Sequence, residues 1–431
     1  MDRRTALAIY AEAGTGKTIT ALSWIYNALL DGRIDNALVI CPASLVPSWK
    51  LSIEKMVQFE DYTEDDVELM KEAVTIVSYG RTWKRINHET HHRDGTTSVR
   101  KLNIIRETID HPWGAVVVDE CHGLGSHSSI QTKACLKISQ LAKYRFIMSG
   151  TPDSGKYEKL YGQIRFLQYD RWPNYASFDR EIVISHDNYG KPYRYDVEAA
   201  EGLKKSYGVV ARLRDCYDMP SETETEIPCE LREKKIYDDL RKGAIDGYGL
   251  TITTSGTLYQ KCLQVVSGFL KVDDGVRKLR TSKLDALRTI LEGTDGKVVV
   301  FCTYRESISQ CADLVSSMKL SYYTFTGDTK LPLWQNFQKD RTRVFIAQYQ
   351  CGGVGIDLYA SSTMVFYEPT FSALLLEQAK ARIMRKGQTE HCTYYYLTTP
   401  KTMETKTWKA VRSGMDVSRA MLDEWAKHED E

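Results

Sequence analysis

Long hydrophobic runs are missing from this chain of 431 residues, so no segment reaches the length of a membrane-spanning helix. The first apolar run, residues 6–10, is too short for a secretion signal, and a glycine-containing loop follows it at once. The ten cysteines contain no Cys-x-x-Cys pair, which excludes the commonest structural zinc spacing. Their scatter points instead to reduced thiols and a cytoplasmic setting. An excess of one charge is also missing: 58 basic residues face 57 acidic ones, for a net charge of +1. Attraction to nucleic acid would therefore have to come from local patches. Nothing in the composition, 42% hydrophobic and 27% charged, indicates disorder or low complexity. The length suits two or three domains.

What is present begins with Ala-Glu-Ala-Gly-Thr-Gly-Lys-Thr at 11–18, set between the apolar run and a helix-patterned stretch over 19–30. A strand, glycine loop and helix in that order cradle phosphates, because loop amides and the helix dipole both face the anion. Ala13, Gly14, Thr15, Gly16, Lys17 and Thr18 are the candidate nucleotide-binding residues. Lys17 suits the β- and γ-phosphates and the Thr18 hydroxyl a magnesium ion. The strict pattern has glycine where this chain has Ala11.

Residues 1–160 alternate short apolar runs, at 37–41, 74–79, 115–118 and 145–148, with helical patterns such as 45–57 and 130–143. A second series over 282–431 has strands at 297–302, 322–325, 343–347, 363–367 and 393–397. Its helices are expected at 282–291, 306–318 and 371–386, with a long one after 402. Fully apolar strands separated by helices predict an α/β fold with parallel sheets covered on both faces. Residues 161–281 lose the alternation and are rich in tyrosine, arginine and lysine. They read as a mostly helical insert and linker, with helices near 230–242 and 259–270.

Ala-Val-Val-Val-Asp-Glu-Cys-His at 115–122 is a buried strand ending in two carboxylates. Ligands of open parallel sheets gather at such carboxyl ends. Asp119 is the candidate magnesium ligand and Glu120 the group that polarises the attacking water. His122, Ser149 and Thr151, the last two in Ser-Gly-Thr-Pro at 149–152, are candidates for coupling nucleotide state to the rest of the molecule; a surface histidine and an ordinary turn are the alternatives. Gln378, Arg382 and Arg385 share one face of the helix expected over 371–386, so the arginines could neutralise a γ-phosphate; a solvated face is the alternative. The glycines of 352–357 allow close backbone approach to a phosphate chain or nucleotide, or simply make a flexible loop.

In this order the segments resemble the superfamily-two helicases, and most closely the Swi/Snf-like DNA translocases. The phosphate loop, Asp119-Glu-Cys-His122 and Ser149-Gly-Thr-Pro152 are similar to their first, second and third motifs. Residues 39–50, 352–358 and 378–388 resemble their motif Ia and their fifth and sixth motifs. Arg212-Leu-Arg214 is a looser match to the arginine-rich segment before their inter-lobe linker. The resemblance implies two RecA-like lobes clamping ATP and Mg2+, with Gly355 and Asp357 near the nucleotide and Gln378, Arg382 and Arg385 completing catalysis beside Glu120 and Lys17. It also implies double-stranded DNA as partner, no membrane, and a monomeric motor. Pro42, Ser44, Arg81, Lys84, Arg85, Gly352 and Gly353 would touch the DNA, with His91, His92, Arg93, Arg100 and Lys101 beyond them. Gly14-Thr15 stands where the family has Gly-Leu, Cys121 and Asp357 are variant positions, and the family's adenine-recognising segment upstream of the loop is not expected here. The resemblance leads to a DNA-dependent translocase; a strand-separating helicase of DNA or RNA and a non-hydrolysing, nucleotide-gated binding module are the alternatives.

Overall fold

Apolar strands such as Ala37–Cys41 and Val298–Cys302 have every side chain buried, which requires cover on both faces of their sheets. The computed structural model describes residues 5–59, 61–91, 97–153, 156–186, 190, 192–243, 247–250, 255–329, 333–352, 356–417 and 421. The chain divides into two compact units, Met1–Cys216 and Tyr217–Glu431.

The first unit is built on six parallel strands, β1 (Ala6–Ala11), β2 (Ala37–Cys41), β3 (Val74–Ser78), β4 (Trp113–Asp119), β5 (Ala142–Ser149) and β6 (Gly208–Ala211). Their order is β6-β1-β5-β4-β2-β3. Helix α1 (Lys17–Leu30) buries Ala21, Leu22, Trp24, Ile25 and Ala28, a three-to-four-residue spacing that presents one apolar stripe to the sheet. Strands β1, β5 and β4 are neighbours, so their carboxyl ends deliver the phosphate loop, Ser149 and the Asp119–Glu120 pair to one edge of the sheet. An antiparallel hairpin, Trp83–His91 with Thr97–Ile105, projects between β3 and β4 in the chain.

The second unit has six further parallel strands, β7 (Glu222–Pro228), β8 (Val298–Cys302), β9 (Tyr322–Phe325), β10 (Val344–Gln348), β11 (Thr363–Phe366) and β12 (Cys392–Thr398), ordered β7-β12-β11-β8-β10-β9. Alternation sorts its two cores. Val299, Phe301, Phe345, Met364 and Phe366 join one cluster, whereas Val298, Val300, Val344, Ile346 and Val365 join the other.

Three expectations need correction. The separate insert over 161–281 is divided between the units, and it contributes an edge strand to each sheet as well as helices. Strand β6 leaves Val209 and Val210 exposed, and β7 alternates glutamate with threonine, so neither carries the signature of a buried strand. The helix expected over 130–143 ends at Ser139, and β5 starts at Ala142. The helix expected over 259–270 runs Ser255–Val266; Gly268, with φ of 92°, turns the chain into the hairpin of Phe269–Val272 and Gly275–Lys278. Among the described residues no helix is long and apolar enough to cross a membrane.

Candidate nucleotide and nucleic-acid site

The loop after β1 turns through two left-handed glycines, Gly14 (φ 87°) and Gly16 (φ 89°), a backbone that other residues adopt at a cost. Gly16 caps α1 without a side-chain hydrogen bond, and the first helical turn contains no acidic residue. The helix N-terminus therefore keeps its positive dipole for an anion. Lys17 Nζ donates to the carbonyls of Ala11 (2.7 Å) and Glu12 (3.0 Å), and Thr15 Oγ1 donates to Glu12 O (2.8 Å). The opposite side of the loop is anchored by β6 and the segment after it: Glu12 N donates to Ala211 O, and Leu213 N to Glu12 Oε2 (2.8 Å). This places Arg212-Leu-Arg214 directly against the phosphate loop.

Asp119, at the end of β4, is 5% exposed, while Glu120 takes a left-handed backbone (φ 49°, ψ 54°) that turns the chain into Cys121–Leu124. A non-glycine residue held there stores local strain, as functional turns often do. Asp119 Oδ2 accepts the indole N–H of Trp49 (2.8 Å), and its Oδ1 accepts the Glu120 amide (2.9 Å). Burial, with the Glu120 charge beside it, pushes the Asp119 carboxyl up to about 6; the Trp49 bond and the Lys17 charge hold it from rising further.

Glu120 Oε2 accepts the Ser149 hydroxyl (3.3 Å) and lies 3.3 Å from His122 Nδ1, which is itself 3.4 Å from Ser149 Oγ. The Thr151 amide donates to the same Ser149 oxygen (3.1 Å). The side chains of Glu120, His122 and Ser149 thus form one cluster, with Thr151 joined through its main chain. A Cβ built on Gly150 would make ordinary contacts with the backbone of Ala11, Glu12 and Ala13, so the third motif packs against the phosphate loop. Among the described residues no three His, Cys, Asp or Glu side chains form a metal-holding group. Thr18 and Asp119 would supply two hard oxygens, a set suited to a magnesium ion whose other ligands are phosphate and water.

In the second unit the expected face of Gln378, Arg382 and Arg385 needs correction. The helix is Ala373–Lys380, and Arg382 and Arg385 lie in the turns beyond it. The ladder stops because Arg382 bonds the main chain around it: its Nε donates to Gln378 O (2.7 Å) and its Nη1 to Ile356 O (3.0 Å), while its own carbonyl accepts the Leu358 amide (2.9 Å). Gly387, at φ 102°, completes the reversal. Arg385 Nη1 also donates to Ile356 O (3.0 Å) and pairs with Asp357. Asp357 and the two arginines therefore do meet, around one carbonyl rather than along one helix. Gln388 braces the turn by donating to the carbonyls of Tyr359 and Ser361. Gly352 ends a short helix, Tyr349–Gly352; Gly353 and Gly355 lie outside the described residues.

Residues 5–238 match the SNF2-related domain, and residues 282–387 match the helicase conserved C-terminal domain. The chain belongs to the SNF2-related family. Among its relatives, the human DNA annealing helicase and endonuclease ZRANB3 is 25% identical over 436 residues, covering 96% of this chain and 38% of that protein. The Caenorhabditis elegans SWI/SNF-related matrix-associated actin-dependent regulator of chromatin subfamily A-like protein 1 homolog is 24% identical over 446 residues, covering 97% of this chain and 59% of that protein. The chain thus spans less than two thirds of the length of these relatives, and little over a third of the first. A similar solved structure is the Sulfolobus solfataricus SWI2/SNF2 ATPase core in complex with dsDNA, at 17% identity, 98% coverage of this chain, 89% of that one and a TM-score of 0.40.

In this SNF2-related chain Pro42 is half-buried and Ser44 exposed, at the 3-10 turn Ala43–Leu45 that leads into helix Val46–Glu54. Arg81 is exposed in the turn Tyr79–Arg81. Lys84 and Arg85 are adjacent on a strand and so point to opposite faces of the hairpin, not into one patch. Lys84 pairs with Glu107 (2.7 Å), and Arg85 Nε donates to Asn103 Oδ1 (3.3 Å). Arg100 and Lys101 lie on the partner strand, opposite His88 and Asn87, while His92 and Arg93 lie outside the described residues and His91 only ends the strand. Trp49 and Tyr79 contact the acid pair, yet no local pattern marks those contacts: each bond spans 40 residues or more.

Proposed function

We propose that this chain is a DNA-stimulated ATP hydrolase that moves along double-stranded DNA. The supporting observation is the meeting of phosphate loop, acid pair and Ser149–Thr151 at the ends of three neighbouring strands, in a chain whose family match continues into the second unit. The amides of residues 13–18 and Lys17 take the triphosphate, and Thr18 and Asp119 hold Mg2+. Held there, Mg2+ would supply charge neutralisation for the transferring phosphoryl group. Glu120 aligns the attacking water and accepts its proton, kept in place by Ser149 and His122, with Thr151 fixing Ser149. Arg382 and Arg385 are assigned to the charge of the transition state, with Gln378 as a neutral hydrogen-bonding side chain beside them, and Gly355 and Asp357 are assigned to nucleotide binding.

The DNA partner rests on relatives, one of them named as a DNA annealing helicase. Pro42, Ser44, Arg81, Lys84, Arg85, Gly352 and Gly353 are assigned to its backbone, where basic and hydroxyl groups bind without reading bases. Hydrolysis measured with duplex DNA, single-stranded DNA, RNA and no nucleic acid tests the reading, with Glu120→Gln alongside. Duplex should raise the rate most, and the variant should lose at least about 100-fold. A wild-type rate with duplex no higher than that of Glu120→Gln would overturn it. Displacement of a triplex-forming strand without opening of a forked duplex distinguishes translocation from strand separation.

A further inference from the structure

Two segments assigned to DNA each continue into a buried aromatic side chain whose polar atom ends on the acid pair. From Pro42 and Ser44 the chain enters helix Val46–Glu54, where Trp49, 1% exposed, donates its indole N–H to Asp119 Oδ2 at 2.8 Å. Beside Arg81, Tyr79 is 6% exposed, and its hydroxyl lies within donor range of the carbonyls of Asp119 (3.0 Å) and Glu120 (3.1 Å). A Cβ on Gly123 would come within 2.9 Å of the Tyr79 ring, so that ring lies flush on the turn that follows Glu120. Thr82, fully buried, donates back to Tyr79 O (2.7 Å) and locks the turn that exposes Arg81.

We infer that Trp49 and Tyr79 are positioning residues that transmit DNA engagement to the acid pair: Trp49 sets the Asp119 carboxylate, and Tyr79 sets the left-handed backbone of Glu120. The inference rests on the proposed DNA-stimulated hydrolysis and names its internal link. An indole N–H to a buried carboxylate is a charge-assisted bond, and a movement of the Pro42–Ser44 turn carries it along through less than two turns of helix. The tyrosine hydroxyl shares its proton between the carbonyls of the two peptides that flank the Glu120 Cα, so a shift at Arg81 tilts those peptides and with them the Glu120 side chain. Packing alone would be satisfied by phenylalanine at either position; the polar atoms are what the linkage needs.

Trp49→Phe and Tyr79→Phe remove those atoms and keep the rings. The readouts are the ratio of duplex-stimulated to basal turnover and the Mg2+ concentration giving half-maximal hydrolysis. Both variants should lose at least about fivefold of the stimulation ratio. Trp49→Phe should also raise the Mg2+ midpoint by about tenfold, the scale on which outer-shell partners act on a metal site. Tyr79→Phe, which touches only carbonyls, should leave that midpoint within about twofold. If wild type is stimulated and both variants are stimulated equally well, the link is overturned and the motor stands. If wild type is not stimulated, the motor and the link fall together. Melting temperature reports folding, and Tyr79→Phe alone decides the question should Trp49→Phe not fold.

Discussion

Near the middle of each sheet a strand runs out into a buried carboxylate, and the two lobes set different neighbours around that group. In the first, Asp119 accepts an indole N–H and a neighbouring amide, burial lifts its proton affinity, and Glu120 follows in a strained backbone. In the second, Glu368, two residues past β11, is 1% exposed and accepts the amides of Thr303 and Tyr304 and the Ser307 hydroxyl, each at 2.9 Å. Those donors belong to the start of helix Arg305–Ser317, so Glu368 is its cap. Behind it Lys283, fully buried, pairs with Glu404 and donates to Tyr367 O (2.9 Å). The second lobe uses its buried charges to hold itself together; the first sets its acid pair on a strained backbone turn at the strand ends that also carry the phosphate loop. Burial raises the proton affinity of Asp119 and Glu368 alike, so what marks the candidate site is the company the carboxylate keeps.

The largest test of this contrast concerns the charges the second lobe would lend to catalysis. Arg385→Ala should slow hydrolysis by about a thousandfold with little change in the KM for ATP, measured in steady state with saturating duplex. Arg382→Ala should do the same and also lower the melting temperature, because a buried guanidinium bound to Ile356 O and Gln378 O is lost. Next comes the cap itself. Glu368→Ala orphans three buried donors and should destabilise the second lobe by about 3 kcal/mol, seen as an earlier unfolding transition in calorimetry.

A smaller effect, one that varies with pH, is expected in the first lobe. Asp119 titrates at about 6, above an unfolded aspartate near about 3.9. Above the folded value the ionised group costs stability, and the cost disappears as pH falls from 6 towards 4. Without Mg2+, the stability of Asp119→Asn relative to wild type should therefore be higher at pH 8 than at pH 4 by on the order of 1 kcal/mol, read from thermal melts, on top of a pH-independent cost for the N–H acceptor that the amide replaces. An equal difference at both values would mean that Asp119 is not under charge strain. The smallest difference lies on the surface. Arg81→Glu should weaken duplex-stimulated turnover severalfold more than Lys84→Glu, since Lys84 already faces Glu107 and exposed pairs contribute less than about 1 kcal/mol.

What could be read from the chain alone was whatever is contiguous. The phosphate loop, the Asp119–Glu120 strand end and Ser149–Thr151 are local patterns, and the apolar runs of the inner strands announce sheets covered on both faces. One edge strand of each sheet escaped, because Glu222–Pro228 alternates charge with threonine and Gly208–Ala211 is only four residues long, with two of them exposed; the opposite edges, Val74–Ser78 and Tyr322–Phe325, were expected. The arginine helix was over-extended because offsets of four and seven satisfy helical periodicity whether or not the helix continues. Main-chain bonds from a residue's own guanidinium leave no trace in spacing. Trp49 and Tyr79 lie in stretches the sequence did mark, but their bonds to the acid pair were invisible, since those partners lie 70 and 40 residues away along the chain.

Strand β6 has a consequence for how the molecule matures. The strand that launches the phosphate loop is synthesised well before its outer neighbour, Gly208–Ala211, and the carboxylate of Glu12 waits for an amide 201 residues further on. Contacts of that span close late in folding. On the ribosome, then, the nascent chain carries its nucleotide loop half-framed until nearly all of the first lobe has emerged, and competence to hold a triphosphate arrives with that lobe's last strand rather than its first.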